Sequence, residues 1–281
     1  MKWPKIILIV SSCYVTLSFV LYYVIDLKNF FGLRDFLLRT EGVYFYFTYT
    51  PFFFQHYGRN GGFAEIIQWS LLAMSILISI YYAGKVSANK KLTKFLLLFG
   101  LGMMLMLLED AGDTRHFLMS YVQWAAGEPD QGLYGTIFEA TYFLLIGGLP
   151  VFAIWRYGSA IKEYGKAHLY VILGIVSYAF AASLSFIGTA FDMLFDFNIY
   201  TKIGEIFREY SLRIGGEDLR IIWDNWDAQN WLFQTNFYLM DSLVEENIEI
   251  IGGAFFLSAM VALAAAYKEK NKSNKSEFML N

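Results

Sequence analysis

Long apolar stretches recur along the chain, and they constrain its fold more than any other feature. An α-helix of about 20 apolar residues reaches across the hydrocarbon core of a bilayer, which is about 30 Å thick. Six stretches have this length and character: Ile6–Ile25, Phe63–Ala83, Leu92–Asp110, Tyr134–Tyr157, Leu169–Phe191 and about Phe237–Tyr267. The sequence therefore predicts an all-α, polytopic membrane protein built as a bundle of six transmembrane helices.

The composition agrees with a membrane protein and excludes some other classes. Of the 281 residues, 57% are hydrophobic and 17% are charged, whereas soluble domains carry about 25% charged residues. The net charge of −3 gives no sign of nucleic-acid binding. The single cysteine, Cys13, excludes an internal disulfide and a cysteine-based zinc site.

Basic residues are distributed unevenly between the two sides of the predicted bundle. Four short segments, which include both termini, hold 13 of the 22 lysine and arginine residues and only three acids. The thirteen are Lys2, Lys5, Lys85, Lys90, Lys91, Lys94, Arg156, Lys162, Lys166, Lys268, Lys270, Lys272 and Lys275. Because short basic segments stay in the cytoplasm, we expect a plasma-membrane protein with its N- and C-termini on the cytoplasmic side.

The segments between spans on the opposite side are long. We expect 26–62 and 193–235 to form an extracytoplasmic cap of amphipathic and aromatic segments on a single membrane domain, residues 1–267. The lysine-, asparagine- and serine-rich tail, 268–281, is predicted to be a disordered cytoplasmic segment.

Tryptophans in the second cap segment have near-helical spacing. They are Trp223, Trp226 and Trp231. One interpretation is an aromatic belt, in which helices lie on the outer leaflet of the membrane. The other is a lid over a site or a lipid-binding groove.

Acidic residues gather at the predicted outer ends of five spans. They are Glu65, Glu109, Asp110, Asp113, Glu139, Asp192, Asp241, Glu245, Glu246 and Glu249, with Arg115 and His116 beside them. If the third span continues through residue 116, then Glu109, Asp113 and His116 share one helix face. On the last span Asp241, Glu245 and Glu249 share a stripe, while Glu246 points about 100° away.

So many carboxylates cannot all remain ionised and unpaired in a poorly hydrated place. A bound metal, shared protons or pairing with cations would each neutralise them. Pairing is plausible because seven of the nine cations on the outer side are arginines, which suit bidentate carboxylate pairing. The sequence leaves these three alternatives open.

Parts of this pattern resemble a known group of sequences. The chain is similar to uncharacterised multi-pass prokaryotic membrane proteins that carry an acidic-to-histidine motif at one helix end and Glu-Glu-x-x-Glu-x-x-Gly on the last helix. The matching residues here are Glu109, Asp110, His116, Glu139, Glu245, Glu246, Glu249 and Gly252. The resemblance implies a multi-pass membrane protein and no particular activity.

Three hypotheses about function follow from the acidic cluster. The first is a membrane metalloenzyme that acts on a lipid-like or anionic small molecule. Its ligands would be Glu109, Asp113, His116, Glu139, Glu245 and Glu249, which suit iron, manganese, magnesium or calcium. Glu65, Asp110, Arg115, Asp192, Asp241 and Glu246 would support or pair with them.

The second hypothesis is a cation or proton transporter or channel, in which the outer carboxylates concentrate cations. The third is a non-catalytic scaffold or complex subunit, in which acids and arginines fix the helix ends. In all three, the lipid bilayer surrounds the chain, and the sequence does not indicate an oligomeric state.

Overall fold

The structure is a computed structural model that describes residues 2–39, 63–127, 133–195, 198–229 and 234–280. All of the regular secondary structure in these ranges is helical. The part of the first cap segment at 40–62, and Trp231 of the second, lie outside the described residues.

The described residues contain ten α-helices. In chain order they are α1 (Trp3–Leu21), α2 (Leu33–Arg39), α3 (Phe63–Lys85), α4 (Lys90–Gly112), α5 (Thr114–Ala126), α6 (Leu133–Lys162), α7 (Ala167–Phe195), α8 (Ile199–Gln229), α9 (Thr235–Tyr238) and α10 (Glu246–Leu280). Wide π-helical turns at Tyr22–Leu27 and Leu239–Glu245 extend α1 and join α9 to α10, and a 3₁₀ turn, Phe30–Gly32, precedes α2.

Within the described residues, six helical segments are long and apolar enough to cross a membrane. They are Trp3–Leu27, Ala64–Lys85, Lys90–Gly112, Leu133–Lys162, Ala167–Leu184 and Thr235–Asn271. Each contains most or all of one predicted span. The prediction of an all-α protein with six membrane-spanning helices is therefore confirmed.

The chain divides into two compact units. Unit 1 comprises Met1–Ser11, Gln68–Phe180 and Ile250–Asn281, and unit 2 comprises Ser12–Ile67 and Ala181–Glu249. The sequence predicted a single domain over residues 1–267. Cap residues and the adjoining helix ends have a hydrophobic cluster of their own, which hydropathy along the chain does not reveal.

Aromatic rings and small residues make the core of unit 1. Phe99 stacks on Phe95 and meets Phe256 edge to face, with ring centroids 5.4 and 5.1 Å apart. Gly102 of α4 lies against Pro150 of α6, so closely that an added Cβ would stand 2.6 Å from the proline ring. The absence of a side chain at Gly102 therefore allows α4 and α6 to approach one another.

A helical hairpin forms much of unit 2. Arg208 and Asp224 are both on α8 and form an ion pair, although 16 residues of straight helix would separate them by about 24 Å. The helix is broken midway, at Gly216, where φ is 77° and ψ is −165°. This region of backbone conformation is essentially restricted to glycine. The chain therefore reverses at Gly216, and the two arms of α8 pack side by side.

Trp223 lies in the core of unit 2. Its side chain is fully buried, and it belongs to a cluster with Tyr22 and Leu27 at the end of α1 and with Leu239 and Leu243 before α10. Trp226 packs against the same cluster. These two tryptophans hold the cap hairpin to the helix ends within unit 2, so they do not form an exposed aromatic belt.

The predicted disordered tail is helical. Helix α10 continues through it as far as Leu280. Extending an existing helix avoids the cost of nucleation, and the lysine and glutamate residues of the tail have good helix propensity.

Candidate functional site

A reversal of the chain between α4 and α5 places the first group of charged side chains. Helix α4 ends at Gly112, and Asp113 adopts a left-handed conformation with φ of 47°. Aspartate tolerates this conformation better than most residues. Thr114 then donates a hydrogen bond from its hydroxyl to the carbonyl oxygen of Leu108, at 2.7 Å, and so satisfies one of the free carbonyls at the end of α4.

This reversal folds Arg115 back onto Glu109. The Arg115 backbone N–H donates to Glu109 Oε2, and its Nε donates to Glu109 Oε1, both at 2.8 Å. On its other side, Arg115 Nη1 donates to Glu139 Oε1 of α6. One guanidinium thus joins carboxylates from two membrane-spanning helices. We call these three residues the Arg115 triad.

The triad is almost completely shielded. The side chains of Arg115, Glu109 and Glu139 are 12%, 14% and 3% exposed. The guanidinium also lies over the ring of Phe143, 4.9 Å from its centroid, in a cation–π contact. Burial alone would lower the pKa of Arg115, but the carboxylates of Glu139 and Glu109 together raise it above its ordinary value. Arg115 therefore remains charged and supplies one positive charge between the two carboxyl groups.

Asp113 and His116 are separated from this group. The sequence predicted that Glu109, Asp113 and His116 share a face if the helix continues through residue 116, and that continuation is wrong. The left-handed residue at Asp113 ends the helix, and His116 Nδ1 pairs with Asp113 Oδ1 where both side chains are about half exposed. Glu109 instead turns toward Arg115 in the interior.

Asp110 pairs with a residue that the sequence analysis did not include. Gln68 of α3 is fully buried, and its Nε2 donates to Asp110 Oδ2 at 2.7 Å. The signal was available, because Gln68 is a polar residue inside a predicted apolar span. This hydrogen bond joins α3 to the end of α4.

In unit 2 the acidic stripe that leads into α10 faces Tyr200. The Tyr200 hydroxyl donates to Glu245 Oε2 at 2.9 Å. Burial first, and then the negative charges of Glu245, Asp241 and Glu249, raise the pKa of Tyr200 well above its ordinary value. The negative charges of three carboxylates therefore act on one hydroxyl.

The π-helical turn lies within this stripe. It covers Leu239–Glu245 and therefore includes Asp241 and Glu245. Such turns are rare, and they are found frequently at functional sites because the extra residue redirects side chains. Tyr200 is the second contributor that the sequence analysis missed, since nothing in its local sequence indicates that α8 returns to this stripe.

A second arginine closes the cap hairpin within unit 2. Arg208 pairs with Asp224 at 2.5 Å and Asp227 at 3.3 Å. Its Nε also donates to Thr235 Oγ1 at 2.9 Å, and Asp227 accepts hydrogen bonds from the backbone and hydroxyl of Thr235. Arg208 thus connects both arms of α8 to the start of α9.

The remaining predicted residues are distributed over both units. Glu65 is buried near the start of α3, and Glu246 is partly buried at the start of α10. The side chain of Asp192 lies outside the described part of the chain.

The described residues do not form a recognisable metal site. Across them, no group of three or more histidine, cysteine, aspartate or glutamate side chains is arranged to hold a metal ion. Of the six proposed ligands, Glu109 and Glu139 are paired with Arg115, and Asp113 is paired with His116. The other two, Glu245 and Glu249, belong to unit 2. The structure gives no support to the predicted metal centre.

No protein-family model, curated protein or solved structure matches the chain. The similarity to multi-pass prokaryotic membrane proteins stays a prediction.

Proposed function

We propose that the chain is a non-catalytic membrane subunit or scaffold whose acids and arginines fix the ends of its helices. The observation that carries this proposal is the Arg115 triad, in which Arg115 is held between Glu109 and Glu139 in an almost fully shielded place. A metal ion shared by these two carboxyl groups would have to lie beside the positively charged guanidinium that already bridges them, and the two cations would repel one another.

Arg208 supports the same role. It gathers two aspartates and Thr235, so a second arginine joins separate helical segments through carboxylates. Arginine suits this task because its planar fork satisfies several oxygens at once. Both networks are of the kind that holds helix ends in register.

Metal analysis together with stability measurements tests the proposal. The full chain, purified in detergent, is analysed for bound metals, and the same is done for Glu109→Gln and Glu139→Gln. We expect no stoichiometric metal in any of the three, and a lower melting temperature in both variants. Glu205→Gln is the matched control, because Glu205 pairs with Lys202 on an exposed surface, where ion pairs contribute little. Stoichiometric metal that disappears in either triad variant would overturn the scaffold proposal and restore the metalloenzyme hypothesis.

A cation or proton pathway is the second candidate, and Tyr200 favours it. Its hydroxyl brings a hydrogen-bond donor to Glu245 within a π-helical turn, in the field of Asp241 and Glu249. Chains of carboxylates and hydroxyls are the groups through which transport proteins relay protons.

Flux measurements separate this candidate from the first. The purified chain is reconstituted in liposomes, and proton and monovalent-cation flux are recorded for the native chain and for Glu245→Gln, again with Glu205→Gln as control. A flux that Glu245→Gln alone removes would support the transport candidate. Well-folded protein in sealed vesicles that never conducts would reject it.

For location, we propose the plasma membrane with both termini in the cytoplasm. The support is the concentration of 13 of 22 basic residues in four short segments. Ala88, in the turn between α3 and α4, lies in one of these segments and is exposed. In a Cys13→Ser background, Ala88→Cys should react with a membrane-impermeant maleimide only after intact cells are opened. Labelling of intact cells would reverse the orientation.

A further inference from the structure

The short helix α5 has its polar side turned inward and its aromatic side turned outward. Phe117, Tyr121 and Trp124 are 72%, 62% and 75% exposed. Arg115 and Gln123 point about 150° and about 130° away from the centre of this aromatic face, and both are buried. A helix that faces water has the opposite arrangement. We propose that the aromatic face of α5 is a lipid-anchoring surface that lies in the interfacial layer of the bilayer.

The contacts of α5 show how it is placed against α6. Arg115 of α5 pairs with Glu139 of α6. Gln123, eight residues later on α5, lies against Gly135, which is four residues before Glu139 on α6. An added Cβ at Gly135 would stand 2.3 Å from Gln123 Nε2. The later residue of α5 thus meets the earlier residue of α6, so the two helices run in opposite directions where they pack.

This geometry puts the aromatic face at the depth of the headgroups. Helix α5 packs against one end of α6 rather than against its middle. Its contacts are with Gly135 and Glu139, in the first two turns of a helix that begins at Leu133. That end of the span is where the hydrocarbon core gives way to headgroups, and tryptophan and tyrosine are enriched there.

The neighbouring ends of α4 and α6 also carry exposed apolar side chains. Leu108 in the last turns of α4 and Leu133 and Ile137 at the start of α6 are all exposed. On a spanning helix such residues contact lipid. On α5 itself, the rings of Tyr121 and Trp124 lie 5.8 Å apart and form one exposed aromatic surface. Lipid on this face also keeps water away from the Arg115 triad on the opposite face.

Site-directed spin labelling tests the anchor directly. In a Cys13→Ser background, single cysteines replace Phe117, Tyr121 and Trp124, and the labelled full chain is placed in phosphatidylcholine nanodiscs. Collision rates with oxygen, which prefers lipid, and with a water-soluble nickel chelate give the depth of each label. Leu77→Cys, in the middle of α3 and 68% exposed, is the lipid reference, and Ala88→Cys is the water reference.

We expect an oxygen-to-nickel ratio at the three aromatic positions that is several-fold above the ratio at Ala88 and below that at Leu77. A ratio equal to that at Ala88 would mean that α5 faces water. Low collision rates with both reagents would mean that protein covers it. Either result overturns the proposal.

A second measurement avoids any dependence on the cysteine variants. Brominated phosphatidylcholine should quench the fluorescence that is present in the native chain and missing in Trp124→Phe. Unquenched Trp124 emission would also count against the anchor.

Discussion

Replacing Arg115 with methionine should destabilise the protein more than replacing either carboxylate of the triad. Methionine fills most of the space but leaves Glu139 and Glu109, which are 3% and 14% exposed, without the guanidinium that pairs with them. Removing one partner of a buried ion pair costs about 3–5 kcal/mol. For a chain of this size, that corresponds to a fall in melting temperature of roughly 10 °C.

Glu139→Gln should cost less, because Arg115 keeps both hydrogen bonds to Glu109. The lost charge-assisted hydrogen bond corresponds to about 1.5–3 kcal/mol. Neutralising all three residues, with Arg115→Met, Glu109→Gln and Glu139→Gln together, removes the buried charge altogether. Replacing a whole buried ion network is often nearly neutral. The triple variant should therefore be more stable than Arg115→Met alone.

Intrinsic-fluorescence melting in detergent measures all of these variants. The expected order of stability is native, then Glu139→Gln, with Arg115→Met lowest and the triple variant above it. If the triple variant melts as low as Arg115→Met, the stabilisation comes from packing of Arg115 on Phe143 and the charge argument fails. If Arg115→Met has the same melting temperature as the native chain, the triad does not hold α4, α5 and α6 together.

Three further predictions concern unit 2. Tyr200→Phe should lower the melting temperature at neutral pH. This difference from the native chain should shrink above about pH 10, because there the unfolded chain ionises Tyr200 while the raised pKa keeps it protonated in the folded chain. Melting curves between about pH 8 and pH 11 test this, and a difference that stays constant would contradict it. Gly216→Ala should cost about 1–3 kcal/mol from its backbone conformation alone, since nothing lies within 4 Å of an added Cβ. Gly147→Ala, in open space on α6, is its control and should be neutral or stabilising; equal melting temperatures for the two would refute the hairpin turn. Arg208→Gln should increase amide hydrogen exchange in both arms of α8. Asp224→Asn should change the exchange little, because the Asp224 side chain is 56% exposed. Unchanged exchange in Arg208→Gln would show that Arg208 does not hold the two arms together.

The membrane-spanning helices could be predicted because their signal is local. An apolar run of about 20 residues fits the bilayer as a helix whatever its neighbours do, since every backbone group is satisfied within the segment. The stripe of Asp241, Glu245 and Glu249 was predicted from α-helical periodicity, which does not reveal that Asp241 and Glu245 lie in a π-helical turn.

The partners of the acids could not be predicted in the same way. Whether Glu109 meets His116 or Arg115 depends on one residue, Asp113, whose left-handed backbone redirects everything after it. The Gly112-Asp113 pair was a visible warning of a helix end, but it does not specify where the next helix goes. Gly215-Gly216 similarly indicated a break, without showing that Arg208 would meet Asp224.

By itself, the sequence determined that this is a six-span helical protein and that charge gathers near the helix ends. Only the tertiary structure decided that arginine and tyrosine, within separate units, pair with these carboxylates. The physical reason is the distance along the chain over which each interaction is decided. Hydrophobic burial of a span is a sum over about 20 consecutive residues, so no single residue decides it. An ion pair requires two side chains from distant segments to meet within about 4 Å.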